Sequence, residues 1–309
     1  MISTRETSPA SRKDAKEEQS LSQIPNFNGL SVGNYMQTEE MLAGDLKLEI
    51  GGEHFEMHLI IPATPVKPQR MLPVFQKVTN EIVARGIERT EGLGKEISCK
   101  AGCGACCRQP LLISEAEVFN LAELVESMPE PRRGTIKKRF ADGRAHFEGL
   151  KWFERFDGFS LEAQAGKSEA LGKKFVTLLS EYIEQRIACP FLEDESCSIY
   201  ESRPLICREY LVTSSAKNCA NPRPSNIEKI PISGDASKAF ASLVKTSNSE
   251  DPSSLLLIRL LEFAEAHEDK FEEKIGPAWA DDFFRILTNR KKPGLPEKQQ
   301  AATRNAAIE

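Results

Sequence analysis

The chain has 309 residues, of which 40% are hydrophobic, and this is enough apolar material to bury a sizeable core. Its formal net charge of −5 argues against nucleic-acid binding, because a chain of this charge offers no large basic field to phosphate. It shows neither a secretory signal nor the run of about 18 apolar residues that a spanning helix needs, so we expect a cytoplasmic protein without a membrane partner.

The N-terminal part of the chain predicts a leader followed by a β-hairpin. Residues 1–42 are polar and lack periodicity, which is typical of a disordered leader. From Leu46 to Ile61, apolar and polar residues alternate around Gly51-Gly52, a pattern that predicts a hairpin. Because a lone hairpin is only marginally stable, we expect it to pack against the rest of a domain that extends over residues 43–290.

Helical periodicity dominates the chain after the hairpin. Apolar residues at helical spacing predict one helix over residues 72–88 and another over 169–187. Between them, Ser114 followed by Glu117 is the signature of a capping box and predicts a helix that ends before Pro129. The cysteines that begin at residue 99 therefore lie on a loop between two helices.

The remaining segments give weaker patterns. Residues 132–166 are predicted to be helical in parts, with loops near Gly158 and Gly166. Residues 225–252 are predicted to be a linker, and residues 291–309 a disordered tail. Two further helices are predicted, one from Leu256 to Phe271 and one containing Trp279, Phe283, Phe284 and Leu287. The expected fold class is mainly α, with a small N-terminal β-hairpin and irregular metal-bound cysteine loops.

Eight cysteines form two groups within residues 97–220, the predicted core of a metal-binding domain. A reducing cytoplasm favours metal binding over disulfides for closely spaced cysteines, and four disulfides remain the alternative. Zinc and iron–sulfur centres both take four thiolates in tetrahedral array, so the expected metal is zinc or iron, including a four-iron four-sulfur cluster. The candidate ligands are Cys99, Cys103, Cys106 and Cys107 in the first group, and Cys189, Cys197, Cys207 and Cys219 in the second.

Features around the cysteines refine this prediction. The second group lies in an irregular segment rich in proline, which a bound metal would order, because the binding free energy of a structural site is folding free energy. Adjacent Cys106 and Cys107 cannot easily both reach one tetrahedral ion, so either two sites exist or one thiol is spare. Arg108, Arg203 and Arg208 could offset thiolate charge or donate hydrogen bonds to sulfur. The histidines, His54, His58, His146 and His267, are scattered and favour surface positions over ligation.

The motifs as a set resemble a known family. The run Cys-x3-Cys-x2-Cys-Cys, with the downstream motifs Cys-Pro-Phe-Leu, Cys-x-Ile-Tyr, Arg-Pro and Cys-Arg-x-Tyr, is similar to the YkgJ-type cysteine-cluster family of zinc- or iron-chelating domains. The resemblance covers residues 97–211 and implies metal chelation by all the cysteines except Cys219, which lies beyond the densest motif. The same cluster occurs in flagellin lysine N-methylases.

Two functions from different classes are therefore open. The first is a metal-binding protein, with a metal ion and a possible protein partner. The second is an iron–sulfur enzyme that modifies a protein substrate, for example with lysine N-methylase-like activity; we predict no catalytic residues for it. The spacing Cys99-x3-Cys103-x2-Cys106 is also that of radical SAM enzymes, but their partial barrel alternates strands with helices, and few strands are predicted here after residue 62.

Overall fold

The computed structural model describes residues 36–37, 41–166, 168–223, 225–245 and 255–289. Of the predicted leader and tail, only residues 36–37 and 41–42 fall in these ranges, and all four lie in strands. The described chain is mainly helical, as predicted. Its α-helices are α1 (Leu72–Gly92), α2 (Glu115–Ser127), α3 (Arg132–Gly149), α4 (Trp152–Ala165), α5 (Glu169–Glu184), α6 (Leu205–Glu209), α7 (Ala236–Val244), α8 (Leu260–Ala266) and α9 (Gly276–Leu287).

Within the described residues, the β-structure consists of one three-stranded sheet, three pairs of two-residue strands and an isolated bridge between Val212 and Lys229. The sheet has the order β1-β2-β3, and all its pairings are antiparallel. Its strands are β1 (Met36–Gln37), β2 (Met41–Ile50) and β3 (Glu53–Pro62), and the short pairs are β4 (Pro65–Val66) with β9 (Lys274–Ile275), β5 (Leu112–Ile113) with β8 (Leu255–Leu256), and β6 (Leu192–Glu193) with β7 (Ser196–Cys197).

The predicted hairpin is confirmed. Strand β2 pairs with β3 so that Ile50 faces Glu53, and Gly51 and Gly52 form the turn with φ values of 58° and 84°, which glycine adopts without steric cost. Alternate residues from both strands are buried. They pack with α1, α7 and α9 in one hydrophobic cluster, in which Phe75 stacks on Phe283 with ring centroids 4.1 Å apart.

A second hydrophobic cluster supports the cysteine loops. It joins α2, α3 and α8 to Phe191 and Ile199 of the second cysteine segment. The predicted capping box is confirmed, with Ser114 and Glu117 bonded reciprocally at the start of α2. Phe191, two residues after Cys189, meets Phe140 of α3 edge to face at 5.3 Å. One side of the cysteine region is therefore fixed to a packed core.

The structure corrects three sequence predictions. Gly158 lies inside α4 rather than in a loop, because the aromatic residues of this helix pack at helical spacing and outweigh the cost of a helical glycine, about 1 kcal/mol. The predicted linker 225–252 contains α7, whose N-terminus is capped by Asp235. The predicted helix from Leu256 to Phe271 is confined to α8, because Leu255–Leu256 form a strand instead.

Within the described ranges, none of the helices combines the length and the apolar character needed to cross a bilayer.

Candidate metal centre

The first cysteine loop is bonded at its start to the end of the second cysteine segment. The backbone N–H of Ser98 donates to the carbonyl of Val212 at 2.9 Å, and its hydroxyl donates to the carbonyl of Thr213 at 3.1 Å. Gly102 then turns the chain with a φ of 80°, a value that favours glycine. Cys99 is therefore held beside a segment more than a hundred residues away in sequence.

A single turn of 3₁₀ helix, Ala105–Arg108, carries the adjacent pair Cys106 and Cys107. The N–H of Cys107 donates to the carbonyl of Gly104 at 3.0 Å. A 3₁₀ helix has about 3.0 residues per turn, so successive side chains point about 120° apart. The two side chains nevertheless lie close enough to hydrogen-bond to each other.

The second cysteine group packs directly on this turn. The N–H of Cys189 donates to the carbonyl of Cys107 at 2.7 Å. Beyond it, β6 and β7 form a tight hairpin that pairs Leu192 with Cys197. Its two turn residues, Asp194 and Glu195, have φ values of 47° and 58°, as a two-residue hairpin turn requires. The acidic residues between Cys189 and Cys197 thus lie at the tip of a hairpin.

Gly104 lies where the two loops touch. A Cβ on Gly104 would lie 2.7 Å from Oε2 of Glu195 and 2.8 Å from Cδ1 of Leu192. Next to it, Arg108 pairs with the same carboxylate through two bonds, at 3.0 Å and 2.5 Å, and also donates to the carbonyl of Gly104 at 3.0 Å. Arg108 therefore fastens one loop to the other and is engaged by Glu195 rather than by a thiol.

Helix α6 brings Cys207 to the site, and its start is fixed from the capping box of α2. Buried Glu117 accepts from the N–H of Leu205 at 2.9 Å through one carboxylate oxygen. The other oxygen accepts from the N–H and the hydroxyl of Ser114, at 2.9 Å and 2.8 Å. A single buried carboxylate thus connects the helix after the first cysteine loop to the helix that carries Cys207.

Cys219 is the most buried of the eight cysteines and lies in the 3₁₀ turn Ala216–Ala220. The side-chain amide of Gln109 donates to its carbonyl at 2.9 Å, which places this turn against the one that carries Cys106. The side chain of Tyr210 hydrogen-bonds the Cys219 thiol. Cys219 is therefore part of the assembled site, although it lies outside the densest sequence motif.

All eight cysteines are free thiols. Burial raises the pKa of Cys189 to about 12 and that of Cys219 to about 11. The pKa of Cys106 is raised by its hydrogen bond with Cys107 and by burial. Burial also raises the pKa of Cys197, and nearby Arg203 opposes that rise. A cation would therefore have to displace protons from these thiols in order to bind them.

The thiols are close enough to influence one another across the two groups. Cys106 raises the pKa values of five other cysteines, and in each case its effect is smaller than that of burial. These five are Cys99, Cys189, Cys197, Cys207 and Cys219. Even so, among the described residues no three Cys, His, Asp or Glu side chains already form a group arranged to hold an ion. The backbone gathers the donors into one region, and side-chain rotation would have to complete a coordination sphere.

Two buried polar atoms beside the thiols lack a partner within the described part of the chain: the hydroxyl of Ser198 and Nε of Arg203. The guanidinium of Arg203 also lies 3.7 Å over the ring of Tyr200. Buried donors are normally satisfied, so these two fit a site in which a further acceptor, such as a metal-bound sulfur, is present. Arg208, in contrast, is engaged by Asn80 at 3.0 Å and by the carbonyls of Arg203 and Glu201.

The comparisons with known proteins agree with this donor set. Residues 98–226 match the model of the CxxCxxCC family, described as "Putative zinc- or iron-chelating domain". No curated protein and no solved structure gives a significant match. Over residues 98–226 the chain thus matches the cysteine-cluster family that its motifs resemble, and this match supports metal binding as the general function.

Proposed function

We propose that this protein binds zinc or an iron–sulfur centre through thiolates of Cys99, Cys103, Cys106, Cys107, Cys189, Cys197, Cys207 and Cys219. The observation that carries the proposal is the direct packing of the two cysteine loops. The hydrogen bond from Cys189 to Cys107 joins loops that lie about eighty residues apart in sequence, and no disulfide joins the eight thiols of the described chain.

The chemistry of the site supports thiolate ligation. Eight free thiols in a partly buried region offer soft donors of the kind that zinc and iron–sulfur centres take. Arg203 is positioned to offset thiolate charge, since it lowers the pKa of both Cys106 and Cys197 against the larger effects that raise them. When bound, the metal would supply the order that this irregular segment lacks in regular backbone hydrogen bonding.

The test is purification of the full chain without oxygen, followed by metal analysis, sulfide analysis and a visible spectrum. Zinc bound in stoichiometric amount to a colourless protein would support a zinc site. A brown protein with iron and acid-labile sulfide would support an iron–sulfur centre. A protein that holds neither metal after growth and reconstitution with both would contradict the proposal, and so would one in which the cysteines are paired as disulfides.

A matched control separates thiolate ligation from adventitious binding by histidine. His58 is exposed on β3, and its ring hydrogen-bonds Asp45 at 2.9 Å, so this pair is a plausible site for stray zinc on the hairpin. The variant His58→Ala should keep the full metal content. The variant Cys189→Ser should lose metal, because serine replaces a thiolate ligand.

The alternative function is an iron–sulfur enzyme that modifies a protein substrate, for example with lysine N-methylase-like activity. One observation favours it: an open cleft of about 770 Å³ begins at α6 and is lined in part by Ile206 and Glu209, on either side of Cys207 in sequence. A cleft that begins beside the helix carrying Cys207 could admit a substrate side chain. Calorimetry of the reconstituted protein with S-adenosylmethionine tests this alternative, and the absence of binding would contradict a methyl-transfer role.

A further inference from the structure

One face of helix α3 lies along the segment that carries Cys189 and Cys197. Its residues recur at helical spacing, so their side chains leave the helix on the same side. Two of them are buried apolar residues and two are arginines. These four residues are Arg132, Ile136, Arg139 and Phe140. The buried pair belongs to the hydrophobic cluster that also holds Phe191 and Ile199, so this face of α3 is packed against the cysteine segment.

The guanidinium of Arg139 is bonded to the backbone beside Cys189. Its Nη1 donates to the carbonyl of Pro190 at 3.2 Å and to the carbonyl of Leu192 at 3.4 Å. Pro190 directly follows Cys189, and Leu192 is the residue that pairs with Cys197 in the short hairpin. One nitrogen atom of α3 therefore fixes the backbone next to two of the proposed ligands.

The hairpin leaves one of these carbonyls without a partner of its own. The N–H of Ser198 donates to the carbonyl of Phe191 at 2.9 Å. Hydrogen-bonded and non-hydrogen-bonded pairs alternate along an antiparallel ladder, so the next pair, Leu192 with Cys197, exchanges no backbone hydrogen bonds. The carbonyl of Leu192 therefore points away from the partner strand, and Arg139 supplies the donor that a part-buried carbonyl needs.

Arg132 holds the other strand of the hairpin. Its Nη2 donates to the carbonyl of Ser198, the residue that directly follows Cys197, at 3.0 Å. The carboxylate of Glu193 pairs with both arginines, because its Oε1 lies 3.8 Å from Nε of Arg132 and 3.5 Å from Nη1 of Arg139. The two guanidinium groups thus fasten both strands of the hairpin to α3.

From these contacts we infer that Arg132 and Arg139 are positioning residues of the metal site. They act through the backbone, and they hold Cys189 and Cys197 where the second cysteine segment packs on the first cysteine loop. This inference rests on the proposed function and deepens it, since it assigns to α3 the alignment of two proposed ligands. A backbone that is already fixed loses less conformational freedom when its side chains bind an ion.

The experiment is alkylation of the reduced, metal-free full chain with iodoacetamide, with mass spectrometry used to measure the rate at each cysteine. Arg139→Met should speed labelling of Cys189 and Cys197 about 5- to 10-fold relative to Cys99, because the loss of hydrogen bonds from a charged donor raises the population of the locally open hairpin. The loss of a positive charge would by itself slow alkylation, because the thiolate is the reactive form. A faster rate therefore reports opening of the hairpin.

The matched control is Lys138→Met, which removes the neighbouring positive charge of α3. The ammonium of Lys138 pairs with Asp142 of the same helix, so this variant should label at wild-type rates. Arg139→Lys should restore part of the protection, because a single ammonium nitrogen can also donate to two carbonyls. Arg132→Met should speed labelling at Cys197 more than at the cysteine before the hairpin, and it keeps the test valid if Arg139→Met does not fold.

Equal labelling rates for Arg139→Met and Lys138→Met would overturn the inference. A uniform rise at all eight cysteines would also overturn it, because such a rise would report a loss of global stability. Competition for Zn²⁺ with a chromogenic chelator separates the inference from the proposed function, and Arg139→Met should bind zinc more weakly than Lys138→Met. A wild-type chain that bound neither zinc nor iron would overturn the proposed function, whereas equal zinc affinity of the two variants would overturn only the inference.

Discussion

Replacement of Gly104 by alanine tests whether the contact between the two cysteine loops supports the metal centre. The φ of Gly104 is −90°, which alanine tolerates, so the effect of Gly104→Ala comes from the added methyl group rather than from backbone strain. That methyl would meet Oε2 of Glu195 at 2.7 Å, Cδ1 of Leu192 at 2.8 Å and the backbone oxygen of Glu195 at 3.1 Å.

The cost can be followed atom by atom. Rotation of the Glu195 and Leu192 side chains would relieve the two shortest contacts, but rotation of Glu195 would break its pair with Arg108. The contact with the backbone oxygen can be relieved only if the loops separate slightly. Overpacking of this kind costs about 1–3 kcal/mol, so zinc affinity should fall about 5- to 150-fold if binding requires the loops in contact.

The assay is a competition titration with a chromogenic zinc chelator, together with urea unfolding of the zinc-loaded chain. The control is Gly92→Ala at the end of α1, where an added Cβ meets nothing within 4 Å. That variant should bind zinc as the wild type does. The reasoning would be refuted if Gly104→Ala matched Gly92→Ala in both zinc affinity and stability.

Three further predictions concern the support of the site. Glu117→Gln should lower the free energy of unfolding by about 1–3 kcal/mol, because an amide nitrogen cannot accept a hydrogen bond from Leu205 or Ser114. The control is Glu123→Gln at an exposed position, and equal urea midpoints for the two variants would contradict this role of Glu117. Arg203→Ala should weaken zinc binding at neutral pH with little change in circular dichroism, since its charge favours the thiolates of Cys106 and Cys197; unchanged affinity in the chelator competition would count against it. Removal of metal with a chelator should lower the melting temperature of the chain, because free metal at 100 times its Kd stabilises the folded state by about 2.7 kcal/mol. Equal melting temperatures for the metal-loaded and metal-free chains would show that the metal does not order the loops.

Local patterns in the sequence were sufficient for the N-terminal hairpin and for the start of the helix after the first cysteine loop. Alternation around Gly51-Gly52 predicted the hairpin, and the capping signature of Ser114 and Glu117 predicted the start of α2. These features depend on residues within a few positions of one another. Helix α7 was missed because its short apolar stripe lies in a segment whose serine, glycine and proline content is typical of a linker.

The interactions that assemble the site could not be predicted in this way. The pairing of Arg108 with Glu195 spans 87 positions, and the bond from Leu205 to Glu117 spans 88, so neither leaves a periodic or spacing signal. From the sequence, three arginines were equal candidates for offsetting thiolate charge or donating hydrogen bonds to sulfur. The structure shows that Arg108 and Arg208 are engaged elsewhere, whereas Arg203 keeps a buried donor without a partner in the described chain.

The most direct test of thiolate ligation is X-ray absorption spectroscopy at the edge of the metal that the full chain binds. If zinc is bound, ligation by four thiolates predicts a first coordination shell of four sulfur atoms at about 2.3 Å. If iron is bound, it predicts sulfur neighbours from thiolate and sulfide. A first shell made mainly of nitrogen or oxygen would contradict the account, because it would place the metal on residues other than the eight cysteines.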